Sequence, residues 1–223
     1  MFRKIVKYSQ EITLKPLLLW YLRKDRSFNF EGLNITVKAG IFHPLYFYSS
    51  LILVRYLKNQ NLLNKKLLEP GCGSGLISVW AAAKGAKVTA LDINPEAVAN
   101  TLWNAENNNL VIKVIESNLY SNLPPEPFDF ILINPPYYPG KPLNNSQYAW
   151  YCGPEFEFFE TLFGKLSKYI HLETETILVL SQDCDLERIK FIAGKYNFDM
   201  QLLSVSRSLL ESNFLFKIKS ADH

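Results

Sequence analysis

The period of apolar and polar positions along the chain marks out its elements. Residues 8–23 read as a helix that Pro16 breaks or kinks. Phe28 to Val37 alternates as two short strands around Glu31-Gly32, the pattern of a hairpin. Residues 46–59 place Leu51, Leu53, Val54 and Leu57 at helical spacing. From residue 66 strands and helices take turns. Lys66–Glu69 is a strand, Leu76–Lys84 a helix and Ala86–Leu91 a strand; Asn94 and Pro95 then supply the cap and first turn of a helix. Val111–Ile115 and Phe128–Ile133 are further strands, the second apolar almost throughout, which suits a sheet covered on both faces. A helix over Phe156–Ile170, a strand over Thr176–Leu180 and a helix over Asp185–Tyr196 follow. Gln201–Val205 and Phe214–Ile218 leave no room for a helix between them, so the closing pair forms an antiparallel edge. The fold class expected is α/β: a Rossmann-like, doubly wound, mostly parallel seven-stranded sheet with one antiparallel strand. Residues 1–39 form a basic extension with helix and hairpin, and residues 40–223 the main domain.

Composition agrees with a globular chain. Of 223 residues, 48% are hydrophobic and 20% charged, enough apolar material for a sizeable core. Cys72, Cys152 and Cys184 are scattered and form no C-x-x-C pair, which points away from a disulfide framework or a zinc site and toward a reducing compartment. The apolar run Leu17–Leu22 is far shorter than the ~20 residues of a bilayer span and lacks signal-peptide flanks, so a cytoplasmic protein is expected. Charge is uneven. Residues 1–26 carry seven basic side chains against Glu11 and Asp25. That segment is a solvated helix face, a docking surface for a polyanion, or a membrane-surface helix.

Glu69-Pro-Gly71-Cys72-Gly73-Ser-Gly75 falls between the strand at 66–69 and the helix at 76–84. Glycines there let a ligand lie against bare main chain at a helix N-terminus. The third glycine comes one residue too early for a dinucleotide fingerprint, and no Gly-Lys-Ser/Thr follows for a nucleoside triphosphate. Asp92 ends the next strand, where a carboxylate either accepts the hydroxyls of a ribose or caps a helix; Asn94 already fills the capping role.

These residues resemble the class I S-adenosylmethionine-dependent methyltransferases over about residues 40–219. The resemblance implies S-adenosylmethionine as cofactor. It also implies that Glu69, Gly71, Cys72, Gly73 and Gly75 line its methionine and ribose part, that Asp92 holds the ribose, and that Ile93 packs on the adenine. After the strand at 111–115, Asn118 and Leu119 stand where the family often has an acid for the adenine amine; an amide oxygen accepts the same bond without charge.

Asn134-Pro135-Pro136-Tyr137 closes the apolar strand. A polar Asn leaving an apolar strand is costly without partners, although Asn-Pro steps also simply turn chains. Methylation of a planar nitrogen requires its delocalised lone pair to be turned toward the methyl group. The Asn134 side-chain oxygen and the Pro135 carbonyl can hold the two N–H protons while Tyr137 stacks on the flat group. Asn-Pro-Pro-Tyr is similar to the signature of amino-methyltransferases, and its neighbourhood resembles the HemK-like branch, which methylates a glutamine in translation release factors. The resemblance implies a protein glutamine amide as acceptor, with an RNA or DNA adenine as the alternative and a non-catalytic cofactor-binding module as the rival of another class. Ser49 lies where that branch carries an acid followed by Thr, His43 reads as structural, and Cys152 as an idle thiol. Tyr148, Trp150 and Tyr151 either cover a flat substrate or pack over the sheet edge.

Overall fold

The computed structural model describes residues 23–45, 48–207 and 212–221. The helix expected over 8–23 and nearly all of the basic segment lie outside them.

Two strands, β1 (Arg26–Phe30) and β2 (Leu33–Val37), form the hairpin, turned by Glu31 and Gly32, both at positive φ. The main sheet uses β3 (Lys66–Pro70), β4 (Lys87–Asp92), β5 (Lys113–Glu116), β6 (Phe130–Ile133), β7 (Glu175–Ser181), β8 (Phe198–Arg207) and β9 (Ser212–Ser220). Their spatial order is β5-β4-β3-β6-β7-β9-β8. Only β9 runs against its neighbours. The expected antiparallel pair is therefore present, with the reversed strand inserted between β7 and β8 while β8 takes the edge. Insertion gives β9 two partners, and Leu215, Phe216 and Ile218 are buried accordingly. The order reverses between β3 and β6, which opens a crevice at their carboxyl ends.

Helices cover both faces. On one side α1 (Ser49–Leu57), α2 (Leu76–Ala83) and α3 (Pro95–Asn107) contribute Leu53, Leu57, Val79, Trp80 and Ala105 to a core shared with Leu67, Ala90 and Leu132. On the other, α4 (Glu157–Leu166) and α5 (Leu186–Lys195) bury Phe159, Leu162, Phe163, Ile189 and Ile192 against Leu68, Ile131 and Leu178. Some ends fall short of the apolar pattern. Val111 is 93% exposed and lies before β5. Phe156 caps α4 in the left-handed region rather than starting it. Among the described residues no helix is long and apolar enough to cross a membrane.

The hairpin is fastened to the domain by an arrangement that hydropathy does not announce. Asn100 and Asn104 on α3 and Asn108 at its C-cap, spaced by four, each grip the main chain of β2. Asn104 Oδ1 accepts from Thr36 N (2.8 Å) and its Nδ2 donates to Thr36 O (2.7 Å). Asn108 does the same to Asn34 N and O (2.9 Å each). Asn100 accepts from Lys38 N (2.9 Å) and donates to Thr36 O (2.8 Å). Four helical residues rise about 6 Å and two strand residues about 6.8 Å, so the steps nearly match. Carboxamides thus complete the open edge of β2 as a neighbouring strand would. Asn104 also donates to Ser74 O (2.8 Å) and is fully buried. Asn104→Leu strands these groups and is expected to lower unfolding free energy by about 2–4 kcal/mol in equilibrium denaturation, with the largest rise in amide exchange at Thr36.

Candidate active site

At the carboxyl ends of β3, β4 and β6 lies a cavity of about 280 Å³. Its floor is the turn from β3 to α2. The carbonyl of Leu91 accepts from both Gly71 N (2.7 Å) and Cys72 N (2.9 Å), which pins the turn to β4. Gly71 and Gly73 have φ of +78° and +55°, and a Cβ on either meets nothing within 4 Å. The bare main chain therefore faces open space, and side chains there would occupy it. Gly75 differs. It is not in the cavity lining, and a Cβ on it would lie 2.7 Å from the Thr101 side chain, so it serves the close approach of α2 to α3.

Two carboxylates border this floor. Asp92 Oδ2 accepts from Gly73 N and Oδ1 from Asn94 N (2.9 Å each). Asn94 caps α3 by accepting from Glu96 N (3.0 Å), so Asp92 organises the turn and is not the cap. Burial raises the Asp92 pKa against the pull of these N–H groups. Glu69 is buried, accepts from the Ser78 hydroxyl, and is pushed up to about 8, chiefly by burial. Cys72, Ile93, Asn118 and Leu119 complete this end of the lining.

The strand β6 delivers Asn134, Pro135, Pro136 and Tyr137 to the same cavity. Asn134 is half-buried, and its Nδ2 donates to Ser50 Oγ (3.2 Å), which fixes the amide plane and turns Oδ1 to the other side. Ser50, rather than Ser49 beside it, therefore supports Asn134, though both border the cavity. The sequence signal was a serine on the buried face of α1, beside Ile52, Leu53 and Val54.

Residues 138–153 close the opposite side. Tyr138 N donates to Trp150 O and Cys152 N to Tyr138 O (2.9 Å each). A Cβ on Gly140 would meet the Tyr151 ring at 2.6 Å, so glycine lets that ring lie across the loop. Phe42 packs on Trp150 with ring centroids 5.6 Å apart, joining this wall to the segment before α1. Tyr148, Trp150 and Tyr151 all face the cavity. His43 does not. It is buried against Phe28, with Nδ1 accepting from Leu45 N (3.4 Å) and its pKa lowered by burial. Cys152 is buried with a pKa raised by burial, as an inert thiol would be.

Comparison with known proteins fits this geometry. The family model described as "Methyltransferase small domain" matches residues 33–149, just over half of the chain. A relative from Methanocaldococcus jannaschii named "Putative protein N5-glutamine methyltransferase" is 41% identical over 110 residues, 49% of this chain and 53% of its own. Ribosomal RNA small subunit methyltransferase C of Buchnera aphidicola is 33% identical over 145 residues, 63% of this chain and 44% of its own. The chain thus spans about half, or less, of these curated relatives. Among solved structures, the T. thermophilus 16S rRNA N2 G1207 methyltransferase in complex with AdoMet and guanosine superposes with TM-score 0.63 at 19% identity, over 87% of this chain and 50% of that one. The E. cuniculi Mtq2–Trm112 structure gives 0.61 at 16%, over 81% and 99%. At such identity these two speak for the fold alone, which is that of class I methyltransferases. With over half its length matched, the chain belongs to the methyltransferase small domain family, whose members use S-adenosylmethionine.

Proposed function

We propose that this chain transfers a methyl group from S-adenosylmethionine to a planar nitrogen, and that the acceptor is a glutamine side-chain amide of a protein, as in the HemK-like branch that Asn134–Tyr137 resembles. The observation that carries the reading is Asn134 at the mouth of β6, its amide plane set by Ser50 and its face on the cavity that the glycine turn also borders.

Gly71, Cys72 and Gly73 give the cofactor a floor of main chain, Asp92 its ribose contact, Ile93 an apolar face for the adenine and Asn118 a neutral acceptor at the rim. When bound, the cofactor supplies a methyl group on a positively charged sulfur. The chain's own groups do the rest. Asn134 Oδ1 and the Pro135 carbonyl accept the two amide N–H groups and twist the nitrogen lone pair out of conjugation. They would also meet the positive charge that grows on nitrogen as the S–CH3 bond gives way to N–CH3, with S-adenosylhomocysteine as leaving group and one of the two held N–H protons given up to water as the product departs, which leaves a neutral N-methyl amide. Tyr137 stacks on the flat group, and Trp150 and Tyr151 keep water out.

Charge favours a protein acceptor. Among the described residues the cavity lining carries the acids Glu69, Asp92 and Glu157 and no Lys or Arg that would hold a phosphate backbone. The 41% identical relative named for glutamine methylation supports the same acceptor. RNA adenine is the second reading, favoured by the rRNA methyltransferase relative and by the basic residues 1–26. We place the catalytic unit at residues 40–223, in a cytoplasmic setting that suits three free, buried cysteines, and a translation factor is the partner this acceptor class suggests.

Radiolabelled methyl transferred into cell extract is expected to be released by protease and kept through nuclease treatment; the reverse result overturns the glutamine reading. Asn134→Ala is expected to slow transfer at least about 100-fold while S-adenosylhomocysteine affinity, read by calorimetry, changes less than about threefold. Glu69 gives a pH signature. Its folded pKa of about 8 exceeds the ordinary 4.5, so the native state holds a proton that the unfolded chain releases. Its contribution to the stability of the ligand-free protein is complete below 4.5 and is lost as pH rises through 8. Glu69→Gln is expected to flatten that decline in denaturation curves, and wild-type binding of the cationic cofactor near pH 7 to release protons.

A further inference from the structure

Past Asn134 the cavity continues to a wall made by Val179 and Ser181 of β7 and Asn213 of β9. Ser181 and Asn213 are direct partners across the antiparallel pair, as are Val179 and Leu215 two residues along. All four share the sheet face that carries α1, since Val179 and Leu215 pack in the α1 core. The Ser181 hydroxyl already accepts from Asp183 N (3.2 Å). The Asn213 carboxamide has no hydrogen-bond partner among the described residues, although the residue is only 3% exposed. The one fully sealed side-chain polar atom without a partner there is the Tyr120 hydroxyl. The Asn213 amide therefore opens on the cavity and not on packed atoms. A buried carboxamide facing a cavity is costly until a ligand supplies its bonds.

Position defines what the ligand presents. β6 and β9 both pair with β7, which sets Asn134 and Asn213 two interstrand spacings apart, roughly 10 Å. Asn134 is level with Val179 and Asn213 with Ser181, two residues further on, so the full separation is roughly 12 Å. A flat group gripped by Asn134 does not reach that far. A glutamine side chain extends about 5 Å from amide nitrogen to Cα, and a hydrogen bond of about 2.9 Å at each end brings its flanking peptide groups into range. The pairing chemistry is already used in this molecule, where Asn104 accepts from Thr36 N and donates to Thr36 O.

We propose that Asn213 determines specificity by hydrogen-bonding a main-chain peptide group beside the acceptor glutamine, so that the site selects a polypeptide over an isolated amide; this rests on the reading of Asn134 above. The test uses the full chain saturated with S-adenosylhomocysteine and titrated with acetyl-Gly-Gln-Gly-methylamide, with propionamide and with adenosine. In Asn213→Leu the preference for the peptide over propionamide is expected to fall about tenfold, the loss of one net hydrogen bond. Asn213→Asp is isosteric and covers the case in which the leucine variant misfolds. It too is expected to lower the preference, because a carboxylate cannot donate to the peptide carbonyl. An unchanged preference in either variant, at wild-type melting temperature and with the peptide still methylated by the wild type, overturns the Asn213 assignment alone. Wild-type chain that binds adenosine and not the peptide overturns the glutamine reading together with it, and wild-type chain that binds none of the three overturns the subsite.

Discussion

The carbonyl of Leu91 takes two N–H groups at once, from Gly71 and Cys72, and the rest of the site depends on that pair of hydrogen bonds. It draws the end of β3 against the end of β4 and leaves the next N–H, that of Gly73, pointing at Asp92. Buried strand ends need such partners, because a main-chain donor sealed without one costs free energy comparable to a lost hydrogen bond. Here the need is met by the end of β4, through the Leu91 carbonyl and the Asp92 carboxylate. The φ values of Gly71 and Gly73, open to the cavity, follow from the sharpness that this pinning demands.

Legibility from sequence was greatest where one signal answers to one physical cause. Alternation of strand and helix reflects burial on two faces and located all seven strands of the main sheet. The glycine turn and Asn134–Tyr137 were readable because bare backbone and a polar exit from an apolar strand are both locally unusual. What escaped were pairings between distant segments. Asn100, Asn104 and Asn108 look like ordinary polar positions along and just past α3 until β2 is laid beside them. Ser50 gains meaning only from Asn134, 84 residues away. The third glycine shows how one residue type serves two needs, since Gly75 lies in the same turn but answers to Thr101 behind it. The place of β9 inside the sheet was hidden because chain order says which strands follow one another and not which neighbours they choose.

The electrostatics of the cavity follow from the same edge of the sheet. Two carboxyl groups at the ends of β3 and β4 have pKa values raised by burial, which disfavours the charged form of each. Around Asn134 the groups are neutral amides, hydroxyls and rings. The buried acids and the Asn134 amide thus border one crevice from different strands, Glu69 and Asp92 at the ends of β3 and β4 and Asn134 at the end of β6.

The asparagine contacts to β2 have a mechanical corollary. Lys38 N is held by Asn100, two residues before Gly40, where the chain begins to border the cavity. Asn94 and Ala97, at the start of α3, border it as well. One helix therefore fixes two parts of the cavity lining, the start of the 40–44 segment and its own first turn. The 138–153 wall is joined to that segment by Phe42 on Trp150 and closed on itself by the Tyr138–Tyr151 bridge.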